Sequence, residues 1–268
     1  MSSDRARWAP WTAVAAFASG IAFTLVGVIF VGAVAGIFGA SFDDPPPAVN
    51  IVATVVQDAA FVGAAVLFAG RIGPVLPAQF GFVRTRIRPA IGWMLFAYVV
   101  YIALGQVWAA IVDTSKVDKL PDSLGVDQST VALVAVCVLV TVIAPLAEEA
   151  FFRGYFYGAL RNWRGPWLAA LLTGLVFGAV HAGGTDLVFL PPLAVLGFML
   201  CVLRERTGSL LPCIALHAIN NALAFGITED WPAGGILLLA LGAVSVTMLA
   251  CAGVMRAYRS APDARALV

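Results

Sequence analysis

Residues 140–156 read VTVIAPLAEEAFFRGYF, and they place two adjacent carboxylates, Glu148 and Glu149, and one arginine, Arg153, in a run (129–160) that otherwise carries no charge. A run of this length and apolarity can cross a bilayer core of about 30 Å. Ionisable side chains at that depth are costly, so they mark an active site or a transport pathway. The two histidines of the chain have the same surroundings: His181 lies in GLVFGAVHAGG (174–184) and His217 in LLPCIALHAINNALA (210–224).

The rest of the chain agrees with a membrane setting. Of 268 residues, 61% are hydrophobic and only 12% charged, and the mean hydropathy of +0.95 lies outside the range of soluble globular chains. The expected fold is an all-α integral membrane protein, a single polytopic domain over 1–268 with a polar catalytic cavity inside its helix bundle. Eight transmembrane helices are expected, at roughly 8–40, 49–70, 90–112, 129–160, 166–185, 187–203, 209–228 and 234–255. The first run follows Arg5 and Arg7 as a signal sequence would, but it is about twice the length of a cleavable apolar region. It is read as a retained helix.

Charge placement tests this count, because Lys and Arg accumulate in cytoplasmic loops. With eight spans and both termini cytoplasmic, the inner turns receive Arg5 and Arg7; Arg71, Arg84, Arg86 and Arg88; Arg161 and Arg164; Arg204 and Arg206; and Arg256, Arg259 and Arg265. That is 13 of the 16 basic residues. Lys116 and Lys119 fall in the acidic outer loop 113–128, which is too short to fold alone.

Other features carry less. Segment 71–89 mixes Phe80, Phe82 and Val83 with four arginines and reads either as an amphipathic stretch on the inner interface or as an ordinary basic loop. Cys137, Cys201, Cys213 and Cys251 stand singly, without CxxC spacing, and read as packing residues. Gly32 and Gly36 form a GxxxG suited to helix packing. Pro145 and Pro212, ahead of Glu148 and His217, should kink or loosen their helices.

Helical rise places Glu148, His181 and His217 roughly 20, 24 and 14 Å from the cytoplasmic turns, so the three can meet inside the core. Positions four apart share a face: Glu149 with Arg153, Phe177 with His181, and His217 with Asn221. Glu148 and Glu149 are about 100° apart around the helix, so Glu149 can neutralise Arg153 while Glu148 faces a cavity. Asp58, beside Gln57 in the second span, belongs to none of these patterns; it reads as a structural partner, with Arg153 as a candidate, ahead of the alternative that it forms part of the catalytic centre.

The segments Glu148-Glu149-Ala-Phe-Phe-Arg153, Phe177-Gly-Ala-Val-His181 and His217-Ala-Ile-Asn-Asn221 resemble the EExxxR, FxxxH and HxxxN signatures of the CAAX-protease and bacteriocin-processing (Abi) family of intramembrane proteases. Order, separation and placement on separate helices agree over 148–221. The resemblance implies a peptide-bond hydrolase in which Glu148 activates water, His181 helps to position and deprotonate it, and His217 and Asn221 stabilise the oxyanion. Glu149, Arg153 and Phe177 would support them. A carboxylate in apolar surroundings suits such a general base.

Glu148, His181 and His217 could also form a three-ligand catalytic zinc site with water in the fourth position; the metal-free glutamate mechanism is the preferred expectation. The expected partners are the lipid bilayer and a membrane-associated protein or peptide substrate, with no nucleic acid, in a bacterial plasma membrane. The substrate itself is open, since CAAX processing, leader-peptide maturation and bacteriocin immunity all occur in the family. Two other classes compete: a proton- or ion-coupled transporter built on the same Glu/His cluster, and an inactive membrane scaffold. The absence of an inverted repeat speaks against the transporter, and the presence of every motif residue against the scaffold. HExxH, GxGD and GxSxG motifs are absent.

Overall fold

The computed structural model describes residues 8–41, 45–112 and 124–260, and among them the regular structure is helical throughout. Helix α1 spans Pro10–Ile37, α2 Pro47–Gly70, the short α3 Pro77–Phe80 and α4 Ile87–Ile111. A long run then comprises α5 (Thr130–Val138), a π-helical turn π1 (Leu139–Ile143), α6 (Ala144–Glu149), a second π-helical turn π2 (Ala150–Phe156) and α7 (Tyr157–Ala179). Helices α8 (Leu190–Thr207), α9 (Leu211–Thr228) and α10 (Ala233–Ser260) complete the bundle. Arg5, Arg7 and Arg265, the side chain of Arg259, and residues 113–123 of the acidic loop lie outside the described residues.

Among the described residues seven helices are long and apolar enough to cross a membrane, where the sequence reading has eight spans. The difference is one 53-residue run, Thr130–Ala182, which as a straight helix would be roughly 80 Å long. It does not run straight. Arg164 (φ −126°, ψ 16°) and Gly165 (φ 79°, ψ 178°) leave the helical region, and only glycine tolerates the second of these conformations without strain. Phe152 and Phe177, on opposite arms, have ring centroids 5.2 Å apart. The run is therefore a helical hairpin with its apex at Arg164–Gly165, so the seven candidate spans contain eight helical arms.

Proline placement explains several boundaries. Pro10, Pro47, Pro191 and Pro212 all fall in the first two positions of their helices, where a missing N–H costs nothing. Pro212 thus starts α9 and does not kink it, contrary to the sequence expectation.

The arginine-bearing turns gather at one end of the bundle. Leu210 N–H donates to the Gly81 carbonyl (2.7 Å), Ser209 Oγ to the Val83 carbonyl (2.6 Å) and Thr85 Oγ1 to the Thr207 carbonyl (3.1 Å). These bonds tie segment 71–89 to the α8–α9 turn. Arg161 forms a two-point pair with Glu205, and Asn162 Nδ2 reaches the Trp8 carbonyl (3.2 Å), which brings the start of α1 and the hairpin apex to the same end. Segment 71–89 is more than a surface loop: Phe80 is buried beneath Trp8 and Tyr155, with ring centroids 5.2 and 6.2 Å away.

Helices meet through small residues, as expected where no hydrophobic effect drives association. A Cβ on Gly174 would lie 2.7 Å from the Ala194 carbonyl oxygen, and one on Gly178 2.7 Å from that of Leu190, so α7 and α8 pack backbone to backbone. Helix α1 approaches α2 closely at Gly20, against the Phe61 ring. The outward faces are apolar, as at Leu95 and Val99 of α4 and Leu237 and Leu238 of α10. The four cysteines are free and buried, as packing residues should be.

Candidate active site

The site is built around two π-helical turns. At the end of π1 the Ala144 N–H bonds to the Leu139 carbonyl, one residue further back than in an α-helix. The Val140 carbonyl thereby loses its usual donor, and the next N–H that could replace it belongs to residue 145, a proline with none. A buried carbonyl left in this state needs another partner. Asn221 Nδ2 supplies it, donating to Val140 O at 2.8 Å. The sequence expectation that Pro145 loosens the helix is met in this specific form, and π-turns of this kind recur at functional sites.

The short α6 that follows ends in Glu148 and Glu149, which face different surroundings as their angular separation requires. Glu149 is fully buried. Its Oε1 accepts from Arg153 Nη1 at 2.8 Å and lies 2.9 Å from His217 Nδ1. Arg153, also fully buried, places Nη2 on the Gly197 carbonyl of α8 at 3.1 Å and its guanidinium over the Phe177 ring, 4.2 Å from the centroid. A buried arginine with a carboxylate, a carbonyl and an aromatic face is compensated on several sides. Asp58 is not among its partners; it interacts electrostatically with Glu148, which corrects the sequence reading.

Glu148 is set differently. Its side chain keeps 20% exposure, its Oε2 stands 3.7 Å from His217 Nε2, and that oxygen makes no hydrogen bond within the protein. Because Glu149 accepts the Nδ1 proton of His217, Nε2 is the ring atom turned towards Glu148. His181 directs Nδ1 to the Phe177 carbonyl at 2.8 Å, which likewise leaves its Nε2 for other work. The Phe177 ring touches both imidazoles, with centroids 5.0 Å from His181 and 5.8 Å from His217. It holds Arg153 on another side, so the phenylalanine is the packing hub of the cluster.

The seven motif residues divide by exposure. Glu149, Arg153 and Phe177 are sealed and His217 nearly so, while Glu148, His181 and Asn221 are partly exposed. Sequence reasoning passed over Asn220, a buried residue whose Nδ2 donates to Asn221 Oδ1 at 3.3 Å. That bond and the one to Val140 fix the orientation of the Asn221 amide and leave one of its N–H bonds uncommitted. The Asn-Asn doublet in an apolar helix was the available signal.

Among the described residues no three His, Cys, Asp or Glu side chains are grouped so as to hold a metal ion. The arrangement therefore does not assemble Glu148, His181 and His217 as a zinc ligand set, although both imidazoles have the anchored Nδ1 typical of metal ligands.

Comparison with known proteins agrees with the geometry. Residues 130–223 match the family model described as type II CAAX prenyl endopeptidase Rce1-like; the match starts at α5 and ends just past Asn221. An Escherichia coli relative, "Uncharacterized 24.3 kDa protein", is 32% identical over 141 residues, 51% of this chain and 62% of its own length. A Bacillus subtilis (strain 168) relative, "Putative membrane peptidase YdiL", is 31% identical over 84 residues, 31% of this chain and 33% of its own length. No solved structure matches. Residues 130–223, which carry the buried Glu–Arg–His cluster and all seven motif residues, are thus similar to the Rce1-like type II CAAX prenyl endopeptidases, and the chain spans less than two thirds of the length of the relatives it matches.

Proposed function

We propose that the protein is an intramembrane endopeptidase that hydrolyses a peptide bond of a membrane-associated protein or peptide, with Glu148 as the general base. The observation that carries this reading is the contrast between the two adjacent glutamates. Glu149 is neutralised by Arg153 and bonded to His217, whereas the Oε2 of Glu148 is buried, unbonded and beside His217 Nε2. A carboxylate held in this way can take a proton from water as the water oxygen attacks the scissile carbonyl carbon. His181, anchored through Nδ1 on the Phe177 carbonyl, would flank that water and shape the space it occupies. The uncommitted N–H of Asn221 would donate to the oxyanion, where one well-placed donor contributes about 3–4 kcal/mol; His217, whose Nδ1 proton is held by Glu149, would add a second donor through Nε2 only as the imidazolium. Glu148 then returns its proton to the leaving amine nitrogen as the C–N bond breaks.

No step in this scheme passes through a metal. Were zinc bound, Glu148, His181 and His217 would have to move together to ligate it, and the metal would supply Lewis-acid activation of the same water.

The arginine-rich end of the bundle is assigned to the cytoplasm by the positive-inside rule, which puts both termini inside. The bacterial relatives and the Ala-, Val-, Gly- and Arg-rich composition favour a bacterial plasma membrane. In that setting a leader peptide or other membrane-bound precursor is a better substrate candidate than a prenylated CAAX protein. The test is quantitative mass spectrometry of new peptide termini in membranes from cells carrying the wild type or Glu148→Gln. At least one cleavage product should vanish in the variant while the protein itself stays at normal abundance; unchanged termini would reject the proposal.

A further inference from the structure

Asp58 belongs to none of the three motifs, yet it sits at the centre. It is 6% exposed on α2, and its Oδ2 is buried without a hydrogen-bond partner. The Oε2 of Glu148 is in the same condition. The two carboxylates are near enough to interact electrostatically, and neither of these oxygens is met by a donor of the protein.

Packing fixes the juxtaposition. Helix α2 lies against α6 and π2, and one turn beyond Asp58 the ring of Phe61 packs on Phe151 and Phe152, with centroids 4.8 and 6.3 Å apart. This face of α2 is thereby held on the segment that carries Glu148. The elements packed on α2 bring few other ionisable groups: Glu149 and Arg153, which pair with each other, Tyr155 of π2 and Cys137 of α5. α1 and π1 bring none.

Two neighbouring buried acceptors without a protein donor are satisfied by a donor shared between them, and water has two O–H bonds to give. We propose that Asp58 is a further catalytic residue, and that Asp58 Oδ2 and Glu148 Oε2 hold the hydrolytic water between them, each accepting one of its O–H bonds. This rests on the reading of Glu148 as general base. In the reaction the O–H bond directed at Glu148 breaks and its proton passes to that carboxylate, while the water oxygen forms its bond to the scissile carbonyl carbon. The other O–H stays bonded to Asp58, which fixes the direction of attack. When the C–N bond breaks, the proton on Glu148 goes to the amine, leaving a carboxylic acid and an amine.

The experiment uses the full chain, purified and reconstituted in lipid vesicles, as wild type, Asp58→Asn, Asp58→Leu and Glu148→Gln. The probe is a peptide taken from the cleavage product that Glu148→Gln abolishes. Asp58→Asn, which keeps shape but offers a weaker acceptor, should lower kcat at least about tenfold with KM and thermal stability unchanged. Asp58→Leu should fall to the Glu148→Gln background. A folded Asp58→Asn or Asp58→Leu protein with wild-type kcat would overturn the proposal. Infrared spectra decide the point without a substrate, even if Asp58→Leu does not fold: the carboxyl band lost in Glu148→Gln should shift in Asp58→Asn, and an unshifted band overturns the assignment. Wild-type cleavage by Glu148→Gln would sink the general-base reading separately, whatever the infrared result.

Discussion

Asn221 is tethered to the Val140 carbonyl by a 2.8 Å hydrogen bond that exists because Pro145 cannot supply the N–H which the π-turn Leu139–Ile143 would otherwise use. A helix irregularity on one arm of the hairpin thus orients an amide on α9, and the two elements of the site are coupled through backbone chemistry.

Pro145→Ala gives the Val140 carbonyl a competing donor within its own helix. We expect cleavage to fall about tenfold, a fraction of the 10²–10³ loss expected for Asn221→Ala as removal of an oxyanion donor. Protein abundance should match the wild type, and kcat should carry the change. Steady-state kinetics in vesicles check this; an unaltered kcat would show that the tether does not matter.

Glu149 and Arg153 are expected to behave as a buried unit. Arg153→Met or Glu149→Gln alone leaves an uncompensated charge and should cost about 3–5 kcal/mol, read as lower abundance and a lower thermal midpoint in detergent. The double variant Glu149→Gln/Arg153→Met should recover stability towards the wild type, because both charges are gone. It should not recover cleavage, since His217 loses its anionic anchor.

The backbone contact between α7 and α8 predicts a sharp contrast between two glycines. Gly174→Ala forces a methyl against the Ala194 carbonyl and the Phe198 amide and should destabilise by about 1–3 kcal/mol. Gly92→Ala, in α4 with nothing within 4 Å, should be neutral or stabilise by up to about 1 kcal/mol. Thermal unfolding of the two variants side by side makes the comparison.

Much of this arrangement is legible in the sequence. Apolar runs and arginine placement locate the helical arms, including the hairpin that the helix count alone merges, because Arg161 and Arg164 would be costly in mid-membrane. The i, i+4 spacing finds the pairing of Glu149 with Arg153 and the shared face of Phe177 and His181. What escapes is whatever depends on departures from the 3.6-residue period or on packing between distant segments. Neither π-turn is visible in hydropathy, so the freed Val140 carbonyl and the roles of Pro145 and Asn220 are hidden. Asp58 looks like a counter-ion for Arg153 until α2 is seen to pack against Glu148. Pro212 looks like a kink until α9 is seen to begin there.

Orientation is tested at the hairpin apex. Trp163 is 53% exposed, and the four native cysteines are buried, so Trp163→Cys offers a thiol against a quiet background. A membrane-impermeant maleimide should label it in inside-out vesicles and leave it unlabelled in intact cells. Labelling in intact cells would invert the topology.

The most direct test of the central claim is hydrolysis in heavy-oxygen water by the purified, reconstituted protein, with wild type and Glu148→Gln compared before and after treatment with a chelator. The account predicts that the wild type places one heavy oxygen in the new carboxylate of the product with or without chelator, and that Glu148→Gln yields no product although His217 and Asn221 are intact. Product formation by Glu148→Gln at the wild-type rate would contradict it.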